Sequence, residues 1–162
     1  MGREAYITPD YQVSVLSRHK KEIIEEHGHF IIPAGQFGFL LTEEVISVPN
    51  HVLGLISLKA GIKFRGLINV SGFHVDPGFR GHLVYAVYNA GPSSIHLARG
   101  MSLFLIWFAS LDRTDSRYIR RASVLIENER INPSLIENIP GEILSTQSLS
   151  KRLEDLERLL FR

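Results

Sequence analysis

The sequence contains no cysteine among its 162 residues, which excludes disulfide bonds, thiol catalysis and cysteine-ligated zinc. It also lacks an apolar run of about 18 residues, the length that a membrane-spanning helix needs. The N-terminus shows no charged segment followed by an apolar one, so nothing predicts a signal peptide. We therefore expect a soluble, cytoplasmic protein with no membrane partner. Net charge is only +1 at pH 7, so no overall field favours nucleic acid.

Acidic side chains are nearly missing from the middle of the chain. Between Glu44 and Asp112 the only carboxylate is Asp76, while five cations leave that stretch with a formal charge of +4. A concave site with several cations and one carboxylate suits a polyphosphate ligand. Cations scattered along solvated strand rims would give the same charge, so charge alone leaves both interpretations open. The five cations are Lys59, Lys63, Arg65, Arg80 and Arg99.

Four histidines occupy the same stretch, but they do not predict a metal centre, which needs three or four convergent ligands. We interpret them as polar residues at strand ends and expect no tightly bound metal. His74 lies two positions before Asp76 and is a candidate for contacting a ligand there. The four are His51, His74, His82 and His96.

From Phe30 onward, short apolar runs alternate with clusters of Pro, Gly, Asn and Ser. This texture predicts an all-β barrel or sandwich. No segment of helical period interrupts the runs, which argues against a βαβ fold. The predicted strands are Phe37–Leu41, Glu44–Val48, Val52–Leu58, Leu67–Val70, Leu83–Tyr88, Ile95–Leu97 and Leu103–Phe108.

The predicted strands at Leu83–Tyr88 and Leu103–Phe108 are apolar on both faces. A strand of a monomeric antiparallel sheet normally shows one face to water. Burying both faces requires a second sheet on one side and another subunit on the other, so these strands favour an oligomer.

The ends of the chain differ from this β-rich middle. Leu16–His29 is charged and is expected to form a short helix or a polar loop. Residues 110–147 are polar and indicate an excursion over the surface, with one more strand at Ala122–Glu127. We expect residues 1–147 to form one β domain with its core at 30–108.

Residues 148–162 carry four leucines at the a/d spacing of a coiled coil. Roughly two heptads are too short to associate alone. We therefore expect an amphipathic helix that either joins several subunits or docks on the β domain. The leucines are Leu149, Leu153, Leu156 and Leu160.

The segment Gly72-Phe73-His74-Val75-Asp76-Pro77-Gly78-Phe79-Arg80-Gly81 resembles the signature of the dCTP deaminase/dUTPase family. The resemblance extends in order over Phe30 to Phe108, about half of the chain. It includes Ile32-Pro33-Ala34-Gly35-Gln36-Phe37, Leu41-Thr42-Glu43-Glu44-Val45, Tyr88-Asn89-Ala90-Gly91 and Leu97-Ala98-Arg99-Gly100-Met101.

This resemblance implies a distorted β-barrel or jelly-roll-like homotrimer with active sites at subunit interfaces. It also implies a pyrimidine deoxynucleoside triphosphate ligand accompanied by Mg²⁺. Asp76 is then the candidate catalytic residue. The candidate substrate-binding residues are Lys59, Lys63, Arg65, His74, Phe79 and Arg80.

The chain departs from the family at the positions that carry deamination. The family's deaminases place a glutamate about ten residues after the aspartate, and here that position is Ala86. A methyl group cannot move a proton, and general acid–base catalysis is worth about 10²–10⁴-fold. The family's two serine positions fall on Ala60 and Gly61, which carry no hydroxyl.

The cations of this loop replace the family's arginines imperfectly. Lys59 supplies charge without the bidentate geometry of arginine. A further family arginine falls at Phe64, and in a strand its neighbours Lys63 and Arg65 would point to the opposite face. A one-residue shift of the loop would change this alignment.

Three functions follow from these observations. The first is a nucleotide-binding dCTP deaminase-like protein whose conversion of dCTP to dUTP is weak or lost. The second is a divergent dUTPase-type pyrophosphatase in which Asp76 orients water and Phe79 packs on the sugar, although the family's Gly-rich C-terminal arm is absent here. The third is a non-catalytic trimeric interaction or scaffold protein.

Overall fold

A computed structural model describes residues 1–9, 21–112, 128–139 and 146–160. Ten strands and three helices occur within these ranges. The strands are β1 (Glu4–Ile7), β2 (Glu22–Ile23), β3 (His29–Ile32), β4 (Phe37–Ser47), β5 (Val52–Leu58), β6 (Leu67–Asn69), β7 (His74–Val75), β8 (Arg80–Asn89), β9 (Ile95–Ala98) and β10 (Phe104–Ser110). The helices are α1 (Ala60–Lys63), α2 (Pro133–Glu137) and α3 (Thr146–Leu160).

The strands form three antiparallel sheets, which confirms the all-β prediction. The largest has the order β2-β1-β4-β8-β6, the second β10-β5-β7, and the third pairs β3 with β9. Within the described ranges these sheets do not close into one continuous barrel, and the jelly-roll-like arrangement around a shared core fits the predicted class.

Alternation along the strands explains where the main core lies. On β5, Gly54, Ile56 and Leu58 are buried while the residues between them are partly exposed. On β8, Tyr85 and Val87 are buried in the same cluster. Neighbouring side chains of a strand point to opposite faces, so one face of each strand supplies the core.

A second, smaller apolar cluster lies on the other face of the largest sheet. It joins Tyr6, Phe39 and Leu41 to Ile131 and Ile136, which are almost completely buried. The last two belong to residues 128–139, which we call the strap. The strap therefore closes the outer face of β1, β4 and β8.

A buried carboxylate anchors the strap. The Glu4 carboxylate accepts the backbone N–H of Ile131 at 3.0 Å and lies 3.3 Å from the Lys21 ammonium. Lys21 also donates to the Ile131 carbonyl at 2.9 Å. At the start of α2, the Asn132 side chain accepts the N–H of Ser134, a typical helix N-cap.

The structure corrects the predicted elements in two places. The separate strands expected at Phe37–Leu41 and Glu44–Val48 form the single strand β4, whose register shifts between Leu41 and Val45. The short helix α1 interrupts the strands, although no helix was expected there.

Other expectations concern segments that are only partly described. Of Leu16–His29, the described part forms β2 and a turn, so neither a helix nor a plain loop is correct there. The strand expected at Ala122–Glu127 lies outside the described residues.

The predicted C-terminal helix is present as α3, which begins at Thr146. Its four seam leucines are between 43% and 78% exposed, so this face does not pack on the described part of the β domain. Among the described residues, no helix is long and apolar enough to span a membrane.

Candidate functional site

A tight turn holds Asp76 between β7 and β8. The Phe79 N–H donates to the Asp76 carbonyl at 3.2 Å, with Pro77 and Gly78 between them. Gly78 has a φ of 79°, which the third position of a type II turn requires. The Gly78 N–H donates to the Val48 carbonyl at 2.9 Å, and this bond fixes the turn against the end of β4.

His74 and Asp76 approach each other at this turn. The His74 Nε2 lies 3.5 Å from an Asp76 carboxylate oxygen, and both side chains are half exposed. That distance is long for a hydrogen bond, so the contact is a charge interaction whenever the imidazole is protonated. Both groups therefore remain accessible to a ligand or a water molecule.

A cavity of about 360 Å³ opens beside this pair. Asp76 is its one acidic residue within the described part of the chain. Phe79 contributes to its wall while its ring packs in the main core at 6% exposure. The described residues lining the cavity are Ile56, Ser71, His74, Val75, Asp76, Phe79, Leu83, Val84, Tyr85 and Asn128.

Sequence reasoning missed Ser71, Tyr85 and Asn128, which also line this cavity. Burial, reinforced by the negative charge of Glu44, raises the pKa of the Tyr85 phenol well above its usual range. The apolar run of β8 contains two tyrosines, Tyr85 and Tyr88, and the face of the strand that each occupies depends on the strand register.

Ala86 lies on the opposite face of β8 from Tyr85. It pairs across the sheet with Phe39 and packs against the second apolar cluster, beneath the strap. The described residues that line the Asp76 cavity do not include Ala86. The position where the family resemblance implies a glutamate is therefore occupied by a methyl group in apolar surroundings.

The predicted cations lie around a different part of the surface. Lys59 precedes α1 and Lys63 ends it, and Lys63 lines an open cavity of about 580 Å³ with Phe64 and Phe73. Ile56 lines both this cavity and the one at Asp76, so the two adjoin. The structure thus groups His74, Asp76 and Phe79 together and places Lys63 in the neighbouring opening.

The expectation based on strand geometry at Phe64 was wrong, because this residue caps the C-terminus of α1. Lys63, Phe64 and Arg65 are all exposed, and Arg65 lines a third opening beside Gly91. Arg80 is exposed at the first position of β8.

The four central histidines do not converge. His82 Nδ1 lies 3.0 Å from the Thr42 carbonyl, His96 is exposed on β9 and His51 is exposed in a turn. Within the described ranges, no group of three or more His, Asp or Glu side chains could hold a metal ion.

The segments that carry the family resemblance meet in space. The Asn89 side chain is fully buried and donates to the Ile32 carbonyl at 2.8 Å, while the Asn89 carbonyl accepts the Gly35 N–H at 2.8 Å. Gly66 (φ +101°) crosses the chain at Gly91, where an added Cβ would lie 2.3 Å from the Gly91 backbone. These hydrogen bonds and close contacts specify the scaffold.

A salt bridge joins two other segments that carry the resemblance, those of Glu43 and Arg99. Arg99 donates to the two Glu43 carboxylate oxygens at 3.1 and 3.4 Å. Hydrogen bonding to Arg99 lowers the pKa of Glu43, and the same bond raises the pKa of Arg99. This exposed pair connects β4 to the turn after β9.

Comparison with known proteins identifies the family of this chain. The family model described as dCTP deaminase-like matches residues 1–111, more than half of the chain. The chain belongs to the dCTP deaminase-like family. The resemblance of the Asp76 turn and its flanking segments to that family is thereby confirmed.

Individual relatives are distant and only partly covered. The dCTP deaminase of Pyrococcus furiosus is 29% identical over 112 residues, which span 69% of this chain and 65% of the relative. The dCTP deaminase, dUMP-forming, of Aquifex aeolicus is 34% identical over 95 residues, or 59% of this chain and 53% of the relative. The match spans less than two thirds of the length of either relative.

A solved structure, the native EIAV dUTPase, aligns with 78% of this chain and 99% of its own. The TM-score is 0.48 and the sequence identity is 18%.

Proposed function

We propose that this member of the dCTP deaminase-like family binds a pyrimidine deoxynucleoside triphosphate with Mg²⁺, as a homotrimer, and that its deamination of dCTP is weak or lost. The relatives are named as dCTP deaminases. The cavity at Asp76 and the cations around α1 support the binding half of this proposal. The chemistry of position 86 supports the other half.

The surroundings of Ala86 carry the proposal. Its methyl group packs with the apolar cluster under the strap and cannot accept or return a proton. Loss of a general acid–base group costs about 10²–10⁴-fold in rate. Among the described residues lining the Asp76 cavity, no second carboxylate is available to replace it.

The serine positions support the same conclusion for a different reason. Ala60 and Gly61 are the first two residues of α1 and are exposed. A Cβ added at Gly61 would meet nothing within 4 Å. The fold therefore has room for a hydroxyl here. Its absence removes hydrogen bonds to a ligand without any packing demand that would explain it.

The remaining groups suit a triphosphate with its metal ion. Lys63 lines the opening that adjoins the Asp76 cavity, so cationic and carboxylate groups flank one depression. Mg²⁺ is usually held by one or two carboxylates together with substrate phosphates. Asp76 is the residue that would supply such a carboxylate.

Thermal unfolding with millimolar dCTP, dUTP or dTTP and Mg²⁺ tests the binding proposal. Nucleotide at 100 times its Kd adds about 2.7 kcal/mol of stability, equivalent to a Tm rise of roughly 5–10 °C. Asp76→Asn and Lys63→Ala should reduce the rise, whereas Glu137→Gln, on the exposed side of α2, should leave it unchanged. No Tm rise with any of the three nucleotides would refute nucleotide binding.

The half-exposed His74–Asp76 pair favours a second candidate, a dUTPase-type pyrophosphatase. In-line hydrolysis of a triphosphate depends mainly on positioning, and Asp76, which lines the cavity, would orient a water molecule there. Pyrophosphate release from dUTP that disappears in Asp76→Asn would support this candidate. Equal rates in the two proteins would eliminate it.

A further inference from the structure

The helix α3 presents an apolar face that no described part of the chain covers. Its 15 residues extend for roughly 22 Å, and one side carries the leucine seam, defined as Leu149, Leu153, Leu156 and Leu160. The exposed fractions of these side chains are 43%, 61%, 55% and 78% in that order. A seam this exposed needs another surface to bury it.

The charges beside the seam indicate which surface that is. The spacing places Leu149 and Leu156 at d positions and Leu153 and Leu160 at a positions. Arg152 then falls at g and Glu157, five residues later, at e. In a parallel coiled coil these two positions face each other between neighbouring helices, so each contact would join a cation to an anion.

An antiparallel arrangement lacks this complementarity. Aligning the same leucines in opposite directions sets Arg152 against Leu159 and Ser150 against Glu157, with no ion pair in either contact. Because e and g charges set partner choice and orientation, the sequence of α3 favours a parallel neighbour of the same sequence.

We propose that α3 forms a parallel coiled coil with α3 of other copies of this chain, with Arg152 facing Glu157 of the neighbouring copy. Two heptads are too short to hold alone, so the seam closes where the β domains already keep copies together. The β domain has a suitable surface, because Leu105 and Trp107 of β10 are half exposed on one face.

Cysteine crosslinking of the full chain tests which face of α3 lies between the copies. The sequence contains no cysteine, so each introduced thiol is the only one in its chain. Leu156→Cys places a thiol at a d position, where equivalent residues of parallel helices come within disulfide range. The matched control Arg158→Cys places it on the outer face. We expect at least about 5-fold more covalent dimer from Leu156→Cys under mild oxidation. Equal yields, or no dimer from Leu156→Cys, would overturn the proposal.

A charge exchange tests the orientation. Chains carrying Leu156→Cys with Arg152→Glu are coexpressed with chains carrying Leu156→Cys with Glu157→Arg. In a parallel coiled coil, two chains with the same charge substitution would bring like charges together at these positions. One chain of each kind would instead restore both ion pairs. We expect mixed disulfide dimers to exceed random pairing, and a mixed fraction at or below random pairing would exclude the parallel arrangement. Unchanged circular dichroism and Tm in all variants confirm that the β domain is intact.

Discussion

The turn at Asp76 and the strand face at Ala86 are ten residues apart and differ sharply in environment. Asp76 is half exposed, has His74 beside it and opens on a cavity. Ala86 faces an apolar cluster that the strap covers. The family resemblance pairs these two positions in one reaction, whereas in this structure one is a half-exposed polar residue and the other packs in an apolar cluster.

The contrast teaches that the scaffold and the chemistry of this family are carried by separable residues. Asn89 and Gly91 lie in a segment that resembles the family, where Asn89 donates a hydrogen bond to the backbone and Gly91 makes a close chain crossing with Gly66. A Cβ added at Gly61 would meet nothing within 4 Å, so the side chain at that position can change while the fold persists.

The largest effect should come from opening the strap. Ile136→Ala removes a side chain that is 1% exposed in the second cluster, and such substitutions cost about 2–5 kcal/mol of unfolding free energy. Urea unfolding measures it. Leu135→Ala, at a neighbouring position that is 41% exposed, is the control and should cost far less. Similar losses in both variants would mean that the strap is not packed as described.

Removing the anchor of the strap should have the next largest effect. Glu4→Ala leaves the Ile131 N–H without its acceptor and the Lys21 ammonium without its carboxylate, a loss of about 1–3 kcal/mol. Arg130→Ala is the control, because the Arg130 side chain is 72% exposed and lies 3.8 Å from Glu4. Urea unfolding of both proteins compares them, and a Glu4→Ala protein as stable as the parent would contradict the anchor.

Placing a carboxylate at position 86 tests the contrast between the Asp76 site and the Ala86 site directly. Ala86→Glu introduces a charge beside the second apolar cluster, and we expect a loss of about 1–2 kcal/mol at pH 7. Burial raises the pKa of a carboxyl group, so the loss should shrink as pH falls through that pKa. Ala86→Gln is the uncharged control and should show no such pH dependence. We also expect no dCTP conversion by Ala86→Glu, and conversion would show that position 86 faces the substrate.

The smallest effect should come from the exposed pair Arg99 and Glu43. Because hydrogen bonding lowers the pKa of Glu43, its contribution to stability is present above the usual carboxyl pKa and is lost as pH falls through the lowered value. The Tm difference between the parent and Glu43→Gln should therefore be small at pH 7 and vanish in acid. A difference that grows in acid would contradict this assignment.

The local sequence pattern predicted several structural elements of this molecule correctly. Val52–Leu58 was predicted with the bounds that the structure shows, because its apolar run begins after the turn residues Pro49-Asn50 and ends before Lys59. The C-terminal helix followed equally from its leucine spacing. The Asp76 turn was predictable because Asp, Pro and Gly each favour one position of a tight turn.

The features that the sequence did not reveal depend on distant contacts. The strap is anchored between Glu4 and Ile131, which are 127 positions apart, and no local pattern reports such a pairing. The helix α1 is only four residues long, too short to show a helical period. Which face of β8 carries Ala86 depends on the register of β8 against β4. The sequence leaves this register ambiguous because the run in β8 is apolar on both faces.

Product analysis with dCTP and Mg²⁺ tests the central claim most directly. Purified full-length protein is incubated with saturating dCTP, and dUTP, dUMP and pyrophosphate are quantified by chromatography while nucleotide binding is followed in parallel. We predict a Tm rise with dCTP remaining unconverted. Formation of dUTP or dUMP at an ordinary enzymatic rate, about 1 s⁻¹ or faster, would contradict the assignment of Ala86 to the position of the proton-transferring glutamate.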